Sequence, residues 1–298
     1  MEKTVLVRAP AKVNLHLRVY GRRADGFHGL RSVFQAISLA DEIVVGSLTS
    51  PDRIEIDGTF DCPPEATTVH KAVRLYREAT GSSRGVRIRV GKGIPAGAGM
   101  GGGSSDGAAV LKALDALFGD ADGRLGEETL LSLGARIGSD VPFFLRGAAA
   151  VVEGRGEVVS PFPGREDFCL VVAFPGFPVS TQAAFALLDR ERPDDSGEAD
   201  PEASELLAAY RREPSSWPFA NSFEPYVAGA HPAIASVSAS LRRSGSPFVR
   251  MSGSGSTVFG VFPDPESAGF AAEALKAGLP GGSLVALTLP LACVPSLE

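Results

Sequence analysis

The sequence has only three cysteines, Cys62, Cys169 and Cys293, which lie far apart. No two have the spacing of a metal site or a redox motif, and an odd number fits a reducing compartment. The N-terminus lacks the apolar core of a secretory signal. The uncharged stretch 277–297 cannot form one membrane-spanning helix, because prolines and glycines interrupt it. These absences argue against secreted, disulfide-rich and helical membrane proteins, and we expect a soluble cytoplasmic protein.

The sequence also lacks an excess of positive charge. It has 29 Lys and Arg against 35 Asp and Glu, a net charge of −6. This balance argues against a protein whose main task is to bind nucleic acid through its phosphates, but it allows a local basic pocket for a nucleotide. With 44% hydrophobic and 21% charged residues, the chain can form a packed core, and its 298 residues fit one large domain or two ordinary ones.

Strand and helix patterns are interleaved along the whole chain. Apolar and polar side chains alternate in residues 12–20, which predicts a strand with one buried face and one polar face. Short strands are predicted at 42–46 and 53–57, after a basic segment rich in turn formers, 21–35. Residues 68–80 have the pattern of a helix.

A break in these patterns indicates a domain boundary. Two prolines and a glycine interrupt residues 155–166, as is typical of a linker. We therefore assign an N-terminal domain to residues 1–158 and a C-terminal domain to residues 159–298.

The most unusual segment is 91–107, which contains eight glycines. Glycines allow backbone N–H groups to approach a ligand and point in one direction, and an amphipathic helix follows directly. The N-terminus of that helix adds a partial positive charge, while Ser104 and Ser105 supply hydroxyls at its start. The arrangement predicts a phosphate-binding loop, although a flexible loop or a tight packing crossover would also use glycines.

Known phosphate-binding motifs do not account for this loop. The Gly-Lys-Ser/Thr ending of a Walker A motif is absent. Gly97, Gly99 and Gly102 match G-x-G-x-x-G, but the acidic residues that follow, Asp120 and Asp122, are predicted in a turn between helices and not at a strand end. The companion motifs of protein kinases are missing.

Candidate catalytic residues are ambiguous when they are taken one at a time. Lys12 lies near the start of the first predicted strand and has the alternative of a solvated strand-edge lysine. Asp140 lies in GSDVPFF, where it or Ser139 would cap a helix that begins near Pro142. His16 is more simply structural, and His70 and His231 have no motif around them. The basic residues Arg22, Arg23 and Arg31 fit a solvated patch and anion contacts equally well.

Three blocks together resemble the GHMP small-molecule kinases: PAKVNLHL (10–17), PAGAGMGGGSSDGA (95–108) and MSGSGSTVFG (251–260). They occur in the order and at the spacings usual in that family. Two longer strings, GRRADGFHGLRSVFQ (21–35) and GSDVPFFLRGAAAVVEGRGE (138–157), resemble the branch that phosphorylates a cytidine-linked methylerythritol.

The resemblance implies an α+β fold with two domains and an active site in the cleft between them. It also implies that ATP donates its γ-phosphoryl group to the 2-hydroxyl of the methylerythritol unit. On the family pattern Lys12 and Asp140 are the catalytic pair, and Asn14 helps to fix the acceptor. These roles suit phosphoryl transfer, which depends on positioning and charge neutralisation.

The resemblance assigns ATP to the glycine-rich loop. The implied ATP-binding residues are Pro95, Ala96, Gly97, Ala98, Gly99, Met100, Gly101, Gly102, Gly103, Ser104 and Ser105. Mg²⁺ is expected with ATP, but the sequence offers no protein ligand set for it, so we expect phosphates and water to hold the ion.

The resemblance also implies a pyrimidine site. Family members hold cytosine between two aromatic side chains, which correspond to Phe27 and Phe185, and His28 is the expected reader of the base edge. Thr181 is a further implied substrate contact. The chain departs from the family by having Phe27 in place of a tyrosine and two threonines, at 67–68, in place of an Asn-Leu pair near the adenine.

Two alternatives remain at this point. One is another GHMP kinase, of the homoserine or mevalonate type, against which the 21–35 string argues. The other is a non-catalytic nucleotide-binding or RNA-associated module, against which the acidic balance and the presence of Lys12 and Asp140 argue. We expect a small-molecule partner, no nucleic acid, no membrane, and a monomer or weak homodimer.

Overall fold

The computed structural model of the chain describes residues 3–191, 201–295 and 297. Within them, ten strands form two sheets, accompanied by nine α-helices. The strands are Thr4–Arg22 (β1), His28–Leu48 (β2), Ile54–Gly58 (β3), Gly85–Gly91 (β4), Ala149–Gly154 (β5), Val158–Pro161 (β6), Cys169–Phe174 (β7), Phe248–Met251 (β8), Val258–Phe262 (β9) and Leu284–Thr288 (β10). The helices are Thr68–Thr80 (α1), Gly102–Asp122 (α2), Glu127–Ile137 (α3), Val141–Arg146 (α4), Thr181–Glu191 (α5), Ala203–Tyr210 (α6), Glu224–Ala230 (α7), Pro232–Arg243 (α8) and Pro265–Lys276 (α9). Short 3₁₀ turns occur at Pro64–Ala66 and Pro214–Ser216.

The first sheet is built on the long antiparallel pair of β1 and β2. Its strand order is β3-β4-β2-β5-β6, with β1 paired to β2. The alternation in residues 12–20 is confirmed, since Val13, Leu15 and Val19 are fully buried. The opposite, polar face is buried as well: Lys12 and Asn14 are only 3% and 2% exposed. These two side chains line a cleft that other elements cover.

The sequence predicts a turn-rich connection over residues 21–35, but most of this segment is strand in the structure. From His28 onward it belongs to β2, which continues to Leu48, and the turn is confined to residues 23–27. Pairing on both sides stabilises this strand, because residues 30–35 bond to β5 while the same stretch bonds to β1. These partners are distant in sequence, so local turn propensity does not decide the conformation.

The helices of the first half cover this sheet. α2 packs on β1 and β2 and also contacts α1, α3 and α4. The predicted helix 68–80 is confirmed as α1: the Thr67 hydroxyl accepts a hydrogen bond from the backbone N–H of His70, and Gly81 ends the helix in the left-handed conformation. Burial of the apolar face of α2 against the sheet fixes the helix start, and with it the end of the glycine-rich loop.

The second sheet is antiparallel, with the order β10-β7-β9-β8. Its central strand β7 is buried along its whole length. α8 and α9 pack against this sheet, and α7 packs between α8 and α5. Because α5 begins shortly after β7, its first residues lie at the edge of the cleft.

The two halves share a continuous apolar contact. Val13 and Leu15 of β1 belong to the same buried cluster as Phe219 and Phe259. The backbone N–H of Leu17 donates to the carbonyl of Ala220 at 2.8 Å. The division at residues 158/159 remains a prediction, and it falls within β6, the last strand of the first sheet. Across the described ranges, no helix has the length and apolar character that crossing a membrane requires.

Candidate active site

A cleft of about 570 Å³ opens between the two halves of the molecule. Lys12 and Asn14 of β1 line it, together with the whole loop segment 95–104 and Asp140. Thr181 and Phe185 of α5 line it from the second half. Residues that lie far apart in sequence, and that the resemblance assigns to one site, therefore surround one cavity.

The glycine-rich loop turns sharply at three positions. Gly97, Gly99 and Gly101 all have positive φ, of 63°, 78° and 72°, a region that side chains disfavour. The last of these is the N-cap of α2, so the N-terminus of a 21-residue helix opens into the cleft. Unpaired backbone N–H groups and the helix dipole there favour a bound anion. The loop thus has the features of a phosphate site.

The tightest contact of this loop is at Gly99, which packs against the turn at 252–256. A Cβ at Gly99 would lie 2.3 Å from the carbonyl oxygen of Ser252 and 3.0 Å from that of Gly255. The Ser252 hydroxyl donates to the carbonyl of Gly99 at 2.9 Å. The turn from the second half therefore holds the loop in its shape.

We predict that Gly99→Ala destabilises the protein, because the methyl group forces the loop and the turn apart at a strained φ. The expected loss in the free energy of unfolding is about 1–3 kcal/mol, measured by urea denaturation. Gly269→Ala is the control: it lies within α9, and nothing lies within 4 Å of an added Cβ. It should leave stability unchanged or slightly raised. Equal stability of Gly99→Ala and the wild type would contradict this packing.

The Lys12 ammonium lies at the floor of the cleft. Its Nζ donates to Asn14 Oδ1 at 2.5 Å, lies 3.6 Å from Asp140 Oδ2, and sits 4.4 Å from the centre of the Phe34 ring. Burial lowers the pKa of Lys12, while the Asp140 carboxylate opposes the shift and favours the charged form. A poorly hydrated ammonium in this position attracts a phosphoryl group strongly.

Lys12 is fixed to the glycine-rich loop as well. Its backbone N–H donates to the carbonyl of Met100 at 2.9 Å. A Cβ on Gly101 would come within 3.2 Å of the Lys12 side chain. The ammonium is thus placed directly beneath the N-terminus of α2.

Asp140 occupies the residue before α4, the N-cap position, but its side chain makes no capping hydrogen bond. Pro142 stands in the first turn and has no N–H to offer. The sequence left open whether Asp140 caps a helix; the geometry leaves its carboxylate free to face the cleft. The side chain is 27% exposed, so a ligand can reach it.

Asn14 connects the two halves at the site. Its Oδ1 accepts from Lys12, and its Nδ2 donates to Ser32 Oγ at 3.0 Å. Its backbone N–H donates to the Ser252 hydroxyl at 3.2 Å. With both side-chain atoms engaged, Asn14 orients the ammonium of Lys12.

Phe27 and Phe185, the two aromatic residues proposed to hold the pyrimidine, have different surroundings in the structure. The rings of Phe185 and His28 are stacked, with centroids 4.9 Å apart, and Phe185 also packs edge-on against Phe223. Phe27 is 57% exposed and lies under the Arg155 guanidinium, 5.0 Å away. Of these, Phe185, Phe223 and Arg155 line the cleft, and Phe27 and His28 lie outside its lining.

Both ring nitrogens of His28 have an oxygen neighbour, although only Nδ1 has a hydrogen-bond partner. Nδ1 lies 2.8 Å from the carbonyl oxygen of Tyr20, and Nε2 lies 3.1 Å from Asp189 Oδ1. Arg22 Nη2 pairs with the other oxygen of Asp189 at 2.7 Å. These contacts tie α5 to the turn between β1 and β2, and they keep the His28 ring on Phe185.

A cluster of three charged residues at the site was not predicted from the sequence, and neither were the charged lining residues Asp61 and Arg155. Lys92 and Asp106 line the cleft beside the glycine-rich loop, and Asp41 lies buried behind them. Asp41 belongs to β2, Lys92 directly follows β4, and Asp106 belongs to α2, so no sequence motif joins the three. The one local sign in the sequence is that Asp106 directly follows Ser104 and Ser105, the last residues of the predicted phosphate-binding loop. Ser105, in contrast, is buried and does not belong to the cleft lining.

Comparison with known proteins identifies the family. Residues 67–148 match the N-terminal domain model of GHMP kinases, and residues 186–281 match the C-terminal one. The 4-diphosphocytidyl-2-C-methyl-D-erythritol kinase of Treponema pallidum is 40% identical over 270 residues, which cover 89% of this chain and 92% of that protein. The chain belongs to the 4-diphosphocytidyl-2-C-methyl-D-erythritol kinase family of GHMP kinases. The expected family and the two-part α+β fold are confirmed.

Other members of this kinase family are equally similar. The Thermus thermophilus 4-diphosphocytidyl-2-C-methyl-D-erythritol kinase is 41% identical over 270 residues, or 90% of this chain and 92% of the relative. A crystal structure of 4-(cytidine 5'-diphospho)-2C-methyl-D-erythritol kinase superposes with a TM-score of 0.81 at 39% identity, covering 98% of this chain and all of the other. Homoserine kinase from Cytophaga hutchinsonii, at 19% identity and a TM-score of 0.71, shares the fold.

Proposed function

We propose that this GHMP kinase transfers the γ-phosphoryl group of ATP to the 2-hydroxyl of 4-diphosphocytidyl-2-C-methyl-D-erythritol, a step in non-mevalonate isoprenoid precursor synthesis. The observation that carries the proposal is the convergence of Lys12 and Asp140, 3.6 Å apart, in a cleft lined by the glycine-rich loop. The relatives of about 40% identity support the choice of acceptor.

In this proposal the chain divides the chemistry among three groups. Backbone N–H groups of the loop and the N-terminus of α2 hold the triphosphate. Asp140 accepts the proton of the acceptor hydroxyl while the oxygen of that hydroxyl attacks the γ-phosphorus. Lys12 neutralises the charge that develops on the transferred phosphoryl group, and the bond to the β-phosphate oxygen breaks to release ADP.

Mg²⁺ would enter this site with ATP. Among residues 3–191, 201–295 and 297, no group of three His, Cys, Asp or Glu side chains could hold a metal ion. Phosphate oxygens and water remain its expected ligands, and the ion would neutralise phosphate charge when bound.

The proposed pyrimidine site is the aromatic face at Phe185. We predict that Phe185→Ala raises the KM for the cytidyl substrate on the order of tenfold, since stacking of a base on an aromatic ring contributes about 1–3 kcal/mol. The KM for ATP should stay unchanged. Steady-state kinetics with each substrate varied will test this, with Phe270→Ala as control, because Phe270 is 71% exposed on α9. An unchanged KM for the cytidyl substrate would remove Phe185 from the binding site.

The direct test of function offers ATP with three acceptors separately: the cytidyl substrate, homoserine and mevalonate. ADP release is followed, and phosphorus NMR locates the new phosphate ester. Turnover of the cytidyl substrate with the ester on the 2-hydroxyl is the expected result. Turnover of homoserine or mevalonate alone would replace the acceptor. Nucleotide binding without any turnover would favour a non-catalytic module.

We also propose that the reaction takes place in the cytoplasm and that the enzyme acts as a monomer or weak homodimer. The three cysteines are free thiols, which suits a reducing compartment. The proposed catalytic groups all come from one chain, and a net charge of −6 gives no support for nucleic acid as a partner.

A further inference from the structure

A buried cluster of three charges lies beside the glycine-rich loop, and the chemistry proposed above does not use it. Lys92 Nζ donates to Asp41 Oδ2 at 2.5 Å and to Asp106 Oδ2 at 2.9 Å. Asp41 is fully buried, and a Cβ on Gly102 would lie 3.5 Å from its Oδ2. The cluster therefore adjoins the first residue of α2, where the phosphates are expected.

The two carboxylates of the cluster differ in how well they are bonded. The carboxylate of Asp41 has donors for both oxygens, because besides the bond from Lys92 it accepts hydrogen bonds from the backbone N–H groups of Gly93 and Ile94, at 2.6 and 2.8 Å. Asp106 is 3% exposed and lines the cleft, yet its Oδ1 has no hydrogen-bond donor. A proton taken up by the cluster therefore goes to Asp106, where no backbone donor competes.

Burial raises the pKa of Asp106 to about 7, Lys92 opposes that shift, and the neighbouring carboxyl of Asp41 adds to it. Of the lysines on α2 and on the elements that pack against it, Lys12 lies beside Asp140, Lys71 donates to the carbonyl of Ile137, and Lys112 donates to the carbonyl of Phe144. Burial lowers the pKa of Lys112 to about 8. The arginines of these elements with contacts of their own are Arg31 with Glu153, Arg77 with the carbonyl of Arg84, Arg136 with Glu78 and Arg146 with the carbonyl of Val159. Near neutral pH the cluster thus alternates between a net charge of −1 and zero.

We propose that the Lys92–Asp41–Asp106 cluster is a proton-linked part of the nucleotide site, which takes up a proton at Asp106 when a nucleoside triphosphate binds. The inference rests on the proposed function for the presence of ATP in this cleft. Its physical reason is charge: the cluster with a net charge of −1 repels a polyanion beside α2, and the neutral cluster does not. Protonation also gives Asp106 an O–H that can donate a hydrogen bond.

The sign of the linkage follows from this repulsion. Bound nucleotide favours protonated Asp106, so it raises the pKa further, and the affinity for nucleotide falls as pH rises above about 7. Since one group is involved, the dissociation constant should rise at most about tenfold between pH 6 and pH 8. At pH 7, binding should take up about 0.3–0.5 protons per nucleotide.

Isothermal titration calorimetry with a non-hydrolysable ATP analogue, in buffers of different ionisation enthalpy, counts these protons without any acceptor present. Because the phosphates of the analogue also titrate, the measured quantity is the difference between the wild type and Asp106→Asn. The asparagine imitates the neutral acid, so this variant should bind at pH 8 about as tightly as the wild type binds at pH 6. The proton uptake of Asp106→Asn at pH 7 should be lower than that of the wild type by about 0.3–0.5 protons per nucleotide.

Two further variants keep the test decisive if Asp106→Asn folds poorly. Lys92→Gln removes the cation that lowers the pKa of Asp106, so proton uptake should decrease at pH 7 and increase above pH 8. Asp120→Asn, exposed on the same helix and paired with Arg124, should behave as the wild type. Equal proton uptake by wild type and Asp106→Asn, or no shift with Lys92→Gln, would overturn the linkage. Failure of the wild type to bind the analogue would instead contradict the proposed function.

Discussion

The Asp140→Asn variant should lose about 10³-fold in kcat while it still binds ATP, because a general base contributes typically about 10²–10⁴-fold. Asparagine has nearly the same shape but cannot accept the proton of the acceptor hydroxyl. Since the Asp140 side chain makes no capping hydrogen bond, the helix α4 should begin as before. Single-turnover phosphoryl transfer and equilibrium ATP binding, measured on the same preparation, separate the two effects.

Asp264→Asn provides the matched control for this substitution. Asp264 is also the residue before a helix, but its carboxylate does cap, accepting the backbone N–H of Ser267 at 2.8 Å. Asparagine caps helices about as well as aspartate, so both kcat and stability should stay near the wild-type values. Undiminished turnover by Asp140→Asn would remove Asp140 from the mechanism. Loss of turnover by both variants would point to a general defect.

The second large effect is expected for Lys12→Met, which should lower kcat by about 10²–10³-fold, the typical loss on removal of one preorganised charge-stabilising group. Methionine fits the buried space beside the Phe34 ring, but it leaves the buried Asn14 Oδ1 without its lysine donor, so the free energy of unfolding should fall by about 1–3 kcal/mol. Lys71→Met is the control, because Lys71 is half-buried and donates to a backbone carbonyl outside the cleft. Full activity of Lys12→Met would exclude a role for the ammonium.

The pH dependence gives the same residue a second test. Burial lowers the pKa of Lys12, and the proposed mechanism needs the charged form of this side chain. Activity of the wild type should therefore fall, as pH rises, at a pH below the ordinary range for lysine. In Asp140→Asn the carboxylate that opposes this shift is gone, so the alkaline limb of the residual activity should move to still lower pH. An alkaline limb in the ordinary lysine range would contradict the buried position of this charge.

Much of the fold followed from the sequence where local signals were strong. Helix α1 has apolar residues at helical spacing and ends at Gly81. The loop before α2 contains more glycines than an ordinary connection needs. Long-range pairing decided the remainder. Residues 28–35 contain turn formers and basic side chains, yet they form part of β2 because β1 and β5 bond to them from both sides.

The candidate site likewise combines residues that a sequence pattern selects with residues that only the packing brings together. Lys12 and Asp140 were each ambiguous in isolation, and only the family pattern selected them together. Lys92, Asp41 and Asp106 had no pattern at all, because their proximity arises from the packing of three separate elements. The exposure of Phe27 was equally hidden, since the sequence does not say whether a residue in a turn faces a cleft or solvent.

In the proposed reaction the glycine-rich loop, Lys12 and Asp140 act on one phosphorus atom and one hydroxyl. A crystal structure with a non-hydrolysable ATP analogue and the cytidyl substrate bound together tests it most directly. We expect the triphosphate on the N-terminus of α2, the γ-phosphorus beside Lys12 Nζ, and the 2-hydroxyl within hydrogen-bond distance of Asp140. A triphosphate bound away from Gly99–Gly103, or a 2-hydroxyl out of reach of Asp140, would contradict it.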